Sequence, residues 1–261
     1  MYDMLCAGCG HRTAMMMLDD IIREKKLKEK IILALDVACC SLLIDFVEYD
    51  SIMCAHGRVL DVTKGYKEMR KENVVISYMG DGAAYSIGIE EMIHSARRND
   101  DVLAIIINNG LYSMTGGQVA PTYVDTTGAR IARPYDDTTG ARIARLYDDT
   151  TGAREARLDR RRELCERNEA RPYEGFRIED IISAFPISYL ARAALTDKEN
   201  IDMAKKYVDT AFDKYIKEGG FNLVELLSPC PTNYKMTPKD AADMINNKLT
   251  KVYKIGEFIN A

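Results

Sequence analysis

The sequence predicts an α/β fold, a mostly parallel β-sheet flanked by helices. Three features point to it. Apolar, β-branched runs of strand length recur at 31–35, 74–79, 102–107, 187–193 and 221–227, the pattern of strands covered on both faces. Stretches with apolar residues at helical spacing lie between them, most plainly at 84–97 and 198–217. An acid, Asp81, and an amide, Asn109, close two successive strands of one βαβ unit. That places both at the carboxyl edge of a parallel sheet, where such sheets bind ligands.

In chain order, the first motif is Cys6-Ala7-Gly8-Cys9-Gly10-His11. A Cys-x-x-Cys spacing lets two thiolates hold one metal or cluster, with glycines folding the backbone around the sulfurs. From the residues alone it equally suits a buried turn, a redox dithiol or a zinc site completed by His11. Residues 13–26 carry Met16, Met17, Ile21 and Ile22 on one side and charge on the other, a helix. Strand 31–35 is followed by Asp36 and then Cys39-Cys40-Ser41. Adjacent cysteines usually point in different directions, so at most one is expected at a shared site, the other being a small interior hydrophobe. Cys54-Ala55-His56-Gly57-Arg58 is a polar break. Read alone, His56 is a core or turn histidine and Arg58 a surface charge. A helix over 65–71 leads into strand 74–79.

Gly80-Asp81-Gly82 ends that strand, and glycines on both sides of an acid let the backbone turn tightly and approach a ligand closely. The helix at 84–97 follows, with Ile87, Ile89, Met92, Ile93 and Ala96 near helical spacing, and strand 102–107 ends at Asn108-Asn109-Gly110. Asp81, Asn109 and a backbone carbonyl just beyond offer three oxygen ligands. Water and a diphosphate would complete the octahedron that Mg²⁺ prefers. Met114-Thr115-Gly116-Gly117 adds a hydroxyl and backbone N–H groups for phosphate oxygens. Separately, Asp81 reads as a helix cap and Asn108-Asn109-Gly110 as a turn. Their pairing across one βαβ unit resembles the thiamine-diphosphate signature, in which the positions of Asp81, Asn109 and the Leu111 carbonyl hold Mg²⁺.

With 47% hydrophobic residues, 29% charged residues and a net charge of −4, the 261-residue chain can bury a core and shows no polyanion-binding signature. No apolar run approaches the roughly 20 residues that span a bilayer, and no signal-peptide pattern opens the chain. The expectation is a cytoplasmic protein that binds neither nucleic acid nor membrane. Seven cysteines there suggest metal or redox chemistry rather than disulfides.

Residues 125–136, 137–148 and 149–160 repeat one unit, Asp-Thr-Thr-Gly-Ala-Arg-x-Ala-Arg, with a period of 12. Solenoid units are longer, about 20–50 residues. The repeat reads as tandem duplication of a surface loop, with a lid or docking loop after Met114–Gln118 as the functional alternative. Residues 158–171 are densely charged and predict an exposed helix. Beyond them come a helical stretch at 178–185 and a last helix over 238–249, with Thr237 as N-cap and Pro238 in its first turn. The tail from Val252 reads as a docking segment without chemistry of its own.

Cys6-x-x-Cys9-Gly10-His11, Cys40-Ser41, Ala55-His56-Gly57-Arg58, Gly80-Asp81-Gly82, then Asn108-Asn109 and Met114-Thr115-Gly116-Gly117-Gln118 occur in the order seen in 2-oxoacid:ferredoxin oxidoreductase β subunits. The chain resembles that family everywhere except about 123–174, and Ser228-Pro229-Cys230-Pro231-Thr232-Asn233 matches its closing cysteine loop. The resemblance implies a single thiamine-diphosphate-binding domain over 1–261, with a charged insert at about 123–174. It implies a four-iron, four-sulfur (4Fe-4S) cluster on Cys6, Cys9, Cys40 and Cys230, with Cys40 chosen because it precedes the serine. His56, Gly80, Gly82, Thr115 and Gly116 would line the cofactor, and Asp81, Asn109 and Leu111 would hold Mg²⁺. Ala83 departs from the family, which carries a second acid there.

The implied reaction is oxidative decarboxylation of a 2-oxoacid to an acyl-CoA, with coenzyme A as acceptor and electrons leaving through the cluster to ferredoxin. 2-Oxoisovalerate is the favoured substrate, with 2-oxoglutarate and pyruvate as alternatives. No catalytic residue is assigned in this chain: Glu90 and Glu91 lie too far along their helix, and the family's base glutamate comes from a companion subunit of α/γ type. Two other readings stay open, a zinc-stabilised α/β binding module and an electron-transfer subunit lacking thiamine diphosphate.

Overall fold

The computed structural model describes residues 4–124 and 175–261. Met1–Tyr123 and Gly175–Ala261 group as one compact unit, and Val124–Glu174 as another. The 12-residue repeats and the charged stretch after them lie outside the described residues.

The first unit is built on a seven-stranded sheet. Its strands are β1 (Ile31–Asp36), β2 (Asp50–Cys54), β3 (Val74–Gly80), β4 (Val102–Asn108), β7 (Tyr189–Ala194), β8 (Phe221–Leu227) and β9 (Gly256–Asn260), in the spatial order β2-β1-β3-β4-β8-β7-β9. All neighbours are parallel except β9, which runs antiparallel to β7. A separate two-stranded ribbon pairs β5 (Leu111–Tyr112) with β6 (Gln118–Val119). Strands β1, β4, β7 and β8 are buried at every position, which is why they read as continuous apolar runs.

Both faces are covered. On one, α1 (Gly10–Glu24) and α4 (Lys198–Lys217) pack Leu18, Ile21, Ala204 and Phe212 against Leu33, Ile76 and Ile105. On the other, α2 (Val59–Met69) and α3 (Ile89–Arg98) set Leu60, Met92 and Ala96 against Ala34, Ala104 and Ile106. Local chemistry fixes the ends. The Asp197 carboxylate accepts the Asn200 N–H at 3.0 Å to start α4, and Asn99 closes α3 with φ 51°, a left-handed conformation asparagine tolerates. Thr237 caps the Asp240 N–H at 3.1 Å at the head of α5 (Pro238–Met244), as its sequence predicts.

The outline differs from expectation in six places. The helix expected over 65–71 runs Val59–Met69, and the last helix turns π-helical over Ile245–Leu249. β2 is not signalled, because it is a short, partly exposed edge strand. The stretch expected as helix over 178–185 forms only one turn, Glu179–Ile182. The helix after Gly82 opens as a π-helical turn over Ala83–Ile87 before α3 begins. The tail is not a free docking segment, since β9 pairs with β7. Among the described residues, no helix is long and apolar enough to cross a membrane.

Candidate cofactor and cluster site

β3 and β4 are adjacent and parallel, with Gly80 opposite Ile107. Asp81 and Asn109 therefore leave the same sheet edge side by side. The Asn109 N–H donates to Asp81 Oδ1 at 3.4 Å, and the Thr122 hydroxyl donates to Asp81 Oδ2. Asp81 is 1% exposed, and burial pushes its carboxyl up to about 7, with the Thr122 and Asn109 donors acting the other way. A carboxylate held this deep by neutral donors is short of positive charge, which suits a cation. The Asn109 side-chain oxygen accepts from the Leu111 N–H at 2.9 Å and the Ser113 hydroxyl at 3.2 Å. Its carbonyl accepts from the Tyr234 hydroxyl at 3.0 Å. Asn108 points the other way: its Nδ2 donates to Glu225 Oε1 at 2.8 Å, and its Oδ1 accepts the Gly110 N–H at 3.2 Å. The turn is thus held from behind while Asn109 faces forward.

Asp81, Asn109 and Ser113 line a cavity of about 270 Å³ together with His56, Gly80, Gly82, Leu111, Thr115, Cys39 and Cys40. A Cβ at Gly80 would meet nothing nearer than the Ile107 carbonyl at 3.9 Å, so the glycine leaves open space at the cavity wall. At Gly82 a Cβ would stand 2.6 Å from the Tyr112 ring, so only glycine lets that ring close over the acid loop. Thr115 is exposed, bonded to the Tyr112 carbonyl at 3.3 Å and to Gln118 Oε1 at 2.8 Å. Gly116 follows with φ 112°.

Sequence reasoning missed the group that orients His56. Asp36, fully buried at the end of β1, bonds His56 Nδ1 at 2.7 Å through Oδ2 and accepts the Gly57 N–H at 2.7 Å through Oδ1. Burial raises the Asp36 carboxyl, opposed by Gly57 and His56. With Nδ1 taken, Nε2 is the nitrogen left for a ligand. An acid directly after an apolar strand was the available signal. Glu90 and Glu91 both pair with Arg58, so neither is a free base.

Four cysteines, Cys6, Cys9, Cys39 and Cys230, are electrostatic neighbours, and Cys39 lines this cavity. The Gly10 N–H donates to the Pro229 carbonyl at 3.4 Å, tying the loop at Cys6 to the loop at Cys230, and the Ser228 N–H donates to the Asn108 carbonyl at 2.8 Å, tying the latter to the end of β4. Burial pushes the Cys9 thiol up to about 11, with smaller contributions from Cys230, Cys39 and Cys6. Cys39 is pushed to about 11 by burial, then by Cys230 and Cys6. Cys40 behaves differently: fully buried, its thiol donates to the Asp36 carbonyl at 3.2 Å and is raised by burial, then by Asp36 and Cys39. The two neighbours in the Cys39–Leu43 3₁₀ turn differ in burial, Cys40 being fully buried and Cys39 only partly, and Cys39 is the one that shares an electrostatic neighbourhood with Cys6, Cys9 and Cys230. Cys39 and Cys40 both line the cavity, and on the ground of that neighbourhood Cys39, rather than the expected Cys40, is the candidate fourth ligand. His11 is 3% exposed, its Nδ1 bonded to the Tyr78 hydroxyl at 3.0 Å, and burial lowers it to about 4. Among the described residues, no three His, Cys, Asp or Glu side chains stand close enough to form a finished metal site. For Asp81 this follows from the chemistry, since its partners in the expected set are an amide and a carbonyl.

An open parallel sheet with an acid and an amide on adjacent strand ends, facing a cavity at the carboxyl edge, defines an α/β cofactor-binding protein. Residues 37–177, more than half the chain, match the thiamine pyrophosphate enzyme C-terminal TPP binding domain, and the chain belongs to that family. It is 27% identical over 258 residues to the ketoisovalerate oxidoreductase subunit VorA of Methanothermobacter thermautotrophicus, covering 97% of this chain and 47% of that protein. It is 26% identical over 235 residues to the 2-oxoglutarate synthase subunit KorB of Archaeoglobus fulgidus, covering 90% of this chain and 72% of that one. The chain thus spans about half the length of the VorA proteins it matches. The solved 2-oxoglutarate:ferredoxin oxidoreductase from Magnetococcus marinus, with 2-oxoglutarate, coenzyme A and succinyl-CoA bound, superposes with a TM-score of 0.70. At 19% identity, over 100% of this chain and 82% of that one, it shares the fold.

Proposed function

We propose that the chain is the thiamine-diphosphate-binding, iron–sulfur β subunit of a 2-oxoacid:ferredoxin oxidoreductase. The observation that carries the reading is the shared cavity: Asp81 and Asn109 on adjacent strand ends, with Cys39 in the same wall. Asp81, Asn109 and the Leu111 carbonyl would hold Mg²⁺ and through it the diphosphate, with Thr115 and Gly116 on phosphate oxygens. Cys6, Cys9, Cys39 and Cys230 would hold the 4Fe-4S cluster. Bound there, thiamine diphosphate supplies the electron sink for decarboxylation, and the cluster takes electrons one at a time.

The chain's own residues perform three tasks. The Asp81 carboxylate neutralises part of the cation's charge, and its burial keeps that interaction strong. Asp36 holds the His56 ring so that Nε2 is available to a ligand oxygen. The Tyr112 ring, 6.3 Å from the His56 ring centroid, closes one side of the cleft against water. The base for the cofactor ring would come from a companion subunit, coenzyme A would take the acyl group, and ferredoxin the electrons. The similarity to a ketoisovalerate oxidoreductase subunit supports 2-oxoisovalerate as substrate, with 2-oxoglutarate and pyruvate behind it. Anaerobic purification with the companion subunits, iron analysis, and viologen reduction on a panel of 2-oxoacids test this. A brown complex most active on 2-oxoisovalerate is expected; an iron-free complex, or one inert to every 2-oxoacid, overturns the reading.

A further inference from the structure

Ser113 stands between the two centres. Its hydroxyl donates to Asn109 Oδ1 at 3.2 Å and is hydrogen-bonded with Cys230 Sγ at 3.3 Å. Asn109 Oδ1 also accepts the Leu111 N–H, so both lone pairs of that oxygen are occupied. A cation arriving at Asn109 Oδ1 must displace a donor. The Leu111 N–H is fixed in the backbone of β5, whereas a hydroxyl rotates freely, so the Ser113 hydroxyl is the donor that leaves. A serine has one hydrogen to give. Released from Asn109, it has Cys230 Sγ as its acceptor at the distance already present. A cysteine bound to iron is a thiolate and only accepts, so the direction of that second bond is set. The Asn233 amide donates to the same sulfur at 3.4 Å and to the Ser113 carbonyl at 3.1 Å. It touches no group of the cation site and is a constant partner, whereas Ser113 is a conditional one.

We propose that the Ser113 hydroxyl couples the two sites: cation and diphosphate binding at Asn109 turns its hydrogen onto Cys230 Sγ and raises the reduction potential of the cluster that sulfur holds. The sign follows from charge. A reduced cluster carries one more negative charge on its sulfurs, and a donor to sulfur stabilises it. The cluster then becomes the better electron acceptor only when cofactor is loaded. Ser113 acts through Cys230 and Asn109, so it is a positioning residue rather than a catalytic one. This inference rests on the function proposed above.

The test is an EPR-monitored redox titration of the anaerobically purified full chain with its co-purifying subunits, with and without Mg²⁺ and thiamine diphosphate. An upward shift in midpoint potential on cofactor addition is expected for the natural protein and for Ser113→Thr, which keeps the hydroxyl. Ser113→Ala should lose the shift and sit at the lower potential in both states while retaining its iron. A second measurement needs no variant: in the natural protein, an exchangeable-proton coupling to the reduced cluster should strengthen on cofactor addition. An unchanged potential and coupling in a cluster-bearing, cofactor-binding natural protein overturns the coupling alone, as does a full shift in Ser113→Ala. Absence of iron, or of cofactor binding, overturns the functional reading and the coupling with it.

Discussion

Arg192 and Glu225 face each other on the neighbouring parallel strands β7 and β8, each 1% exposed. The guanidinium pairs with Glu225 Oε2 and with both oxygens of Glu179, donates to the Lys254 carbonyl at 3.3 Å, and lies 5.2 Å from the Tyr253 ring. Burial opposes the charge, but the two carboxylates outweigh it and raise the Arg192 pKa. Glu225 Oε1 in turn accepts from Asn108, so this network backs the turn that presents Asn109. Arg192→Ala strands a buried carboxylate and should cost about 3–5 kcal/mol, a large share of the roughly 5–15 kcal/mol of a whole domain. Replacing both partners with apolar residues, Arg192→Met with Glu225→Leu, removes one of the two carboxylates that Arg192→Ala strands, while Glu179, 12% exposed, loses its partner in either variant. The double variant adds the orphaned Asn108 amide, about 1–3 kcal/mol. The double variant should therefore be less damaged than Arg192→Ala, with a coupling of about 2 kcal/mol or more between the sites. The chain has no tryptophan, so urea unfolding is followed by far-UV circular dichroism. Additive losses, or an Arg192→Ala cost below about 1 kcal/mol, the range of exposed pairs, would refute the argument that this pair acts as a buried unit.

Asp81→Asn should weaken Mg²⁺-dependent thiamine diphosphate binding by roughly 100-fold or more in calorimetry, while the cofactor-free chain gains stability because a carboxylate buried among neutral donors has gone. Iron analysis separates the two adjacent cysteines: Cys39→Ala should lose the cluster, whereas Cys40→Ala should keep it and lose only core packing. Asp100 works against burial but is held below the usual carboxylate range by Arg98 and Lys64. Its contribution is therefore present above the ordinary carboxylate pKa and lost as pH falls through the depressed value. Asp100→Asn should cost about 1–3 kcal/mol at pH 7 and much less near pH 3, read by urea unfolding at the two pH values.

The elements legible in the sequence are those whose side chains carry their own pattern. Strand Phe221–Leu227 and helix Lys198–Lys217 match the structure to the residue, because one is apolar throughout and the other strictly periodic. The placement of Asp81 beside Asn109 is legible for a related reason: consecutive strands of a βαβ unit are parallel, so their last residues share an edge. The misses share a cause, since each depends on a partner distant in sequence. β9 is a strand only because β7 offers it an edge. Asp36 has its histidine partner only because the loop after β2 brings His56 to it. Ser113 stands between a strand end and a cysteine 117 positions later. The cysteine pair shows the limit most sharply. Cys39 and Cys40 are chemically identical and adjacent, and a motif rule separates them only by which one precedes a serine. In a 3₁₀ turn successive side chains diverge by about 120°, so the two take different surroundings, Cys40 fully buried and Cys39 partly exposed. Which one is buried is set by where β1 delivers the turn. With Asp36 anchored by Gly57 and His56, Cys40 falls back onto the Asp36 carbonyl, leaving Cys39 toward the cleft.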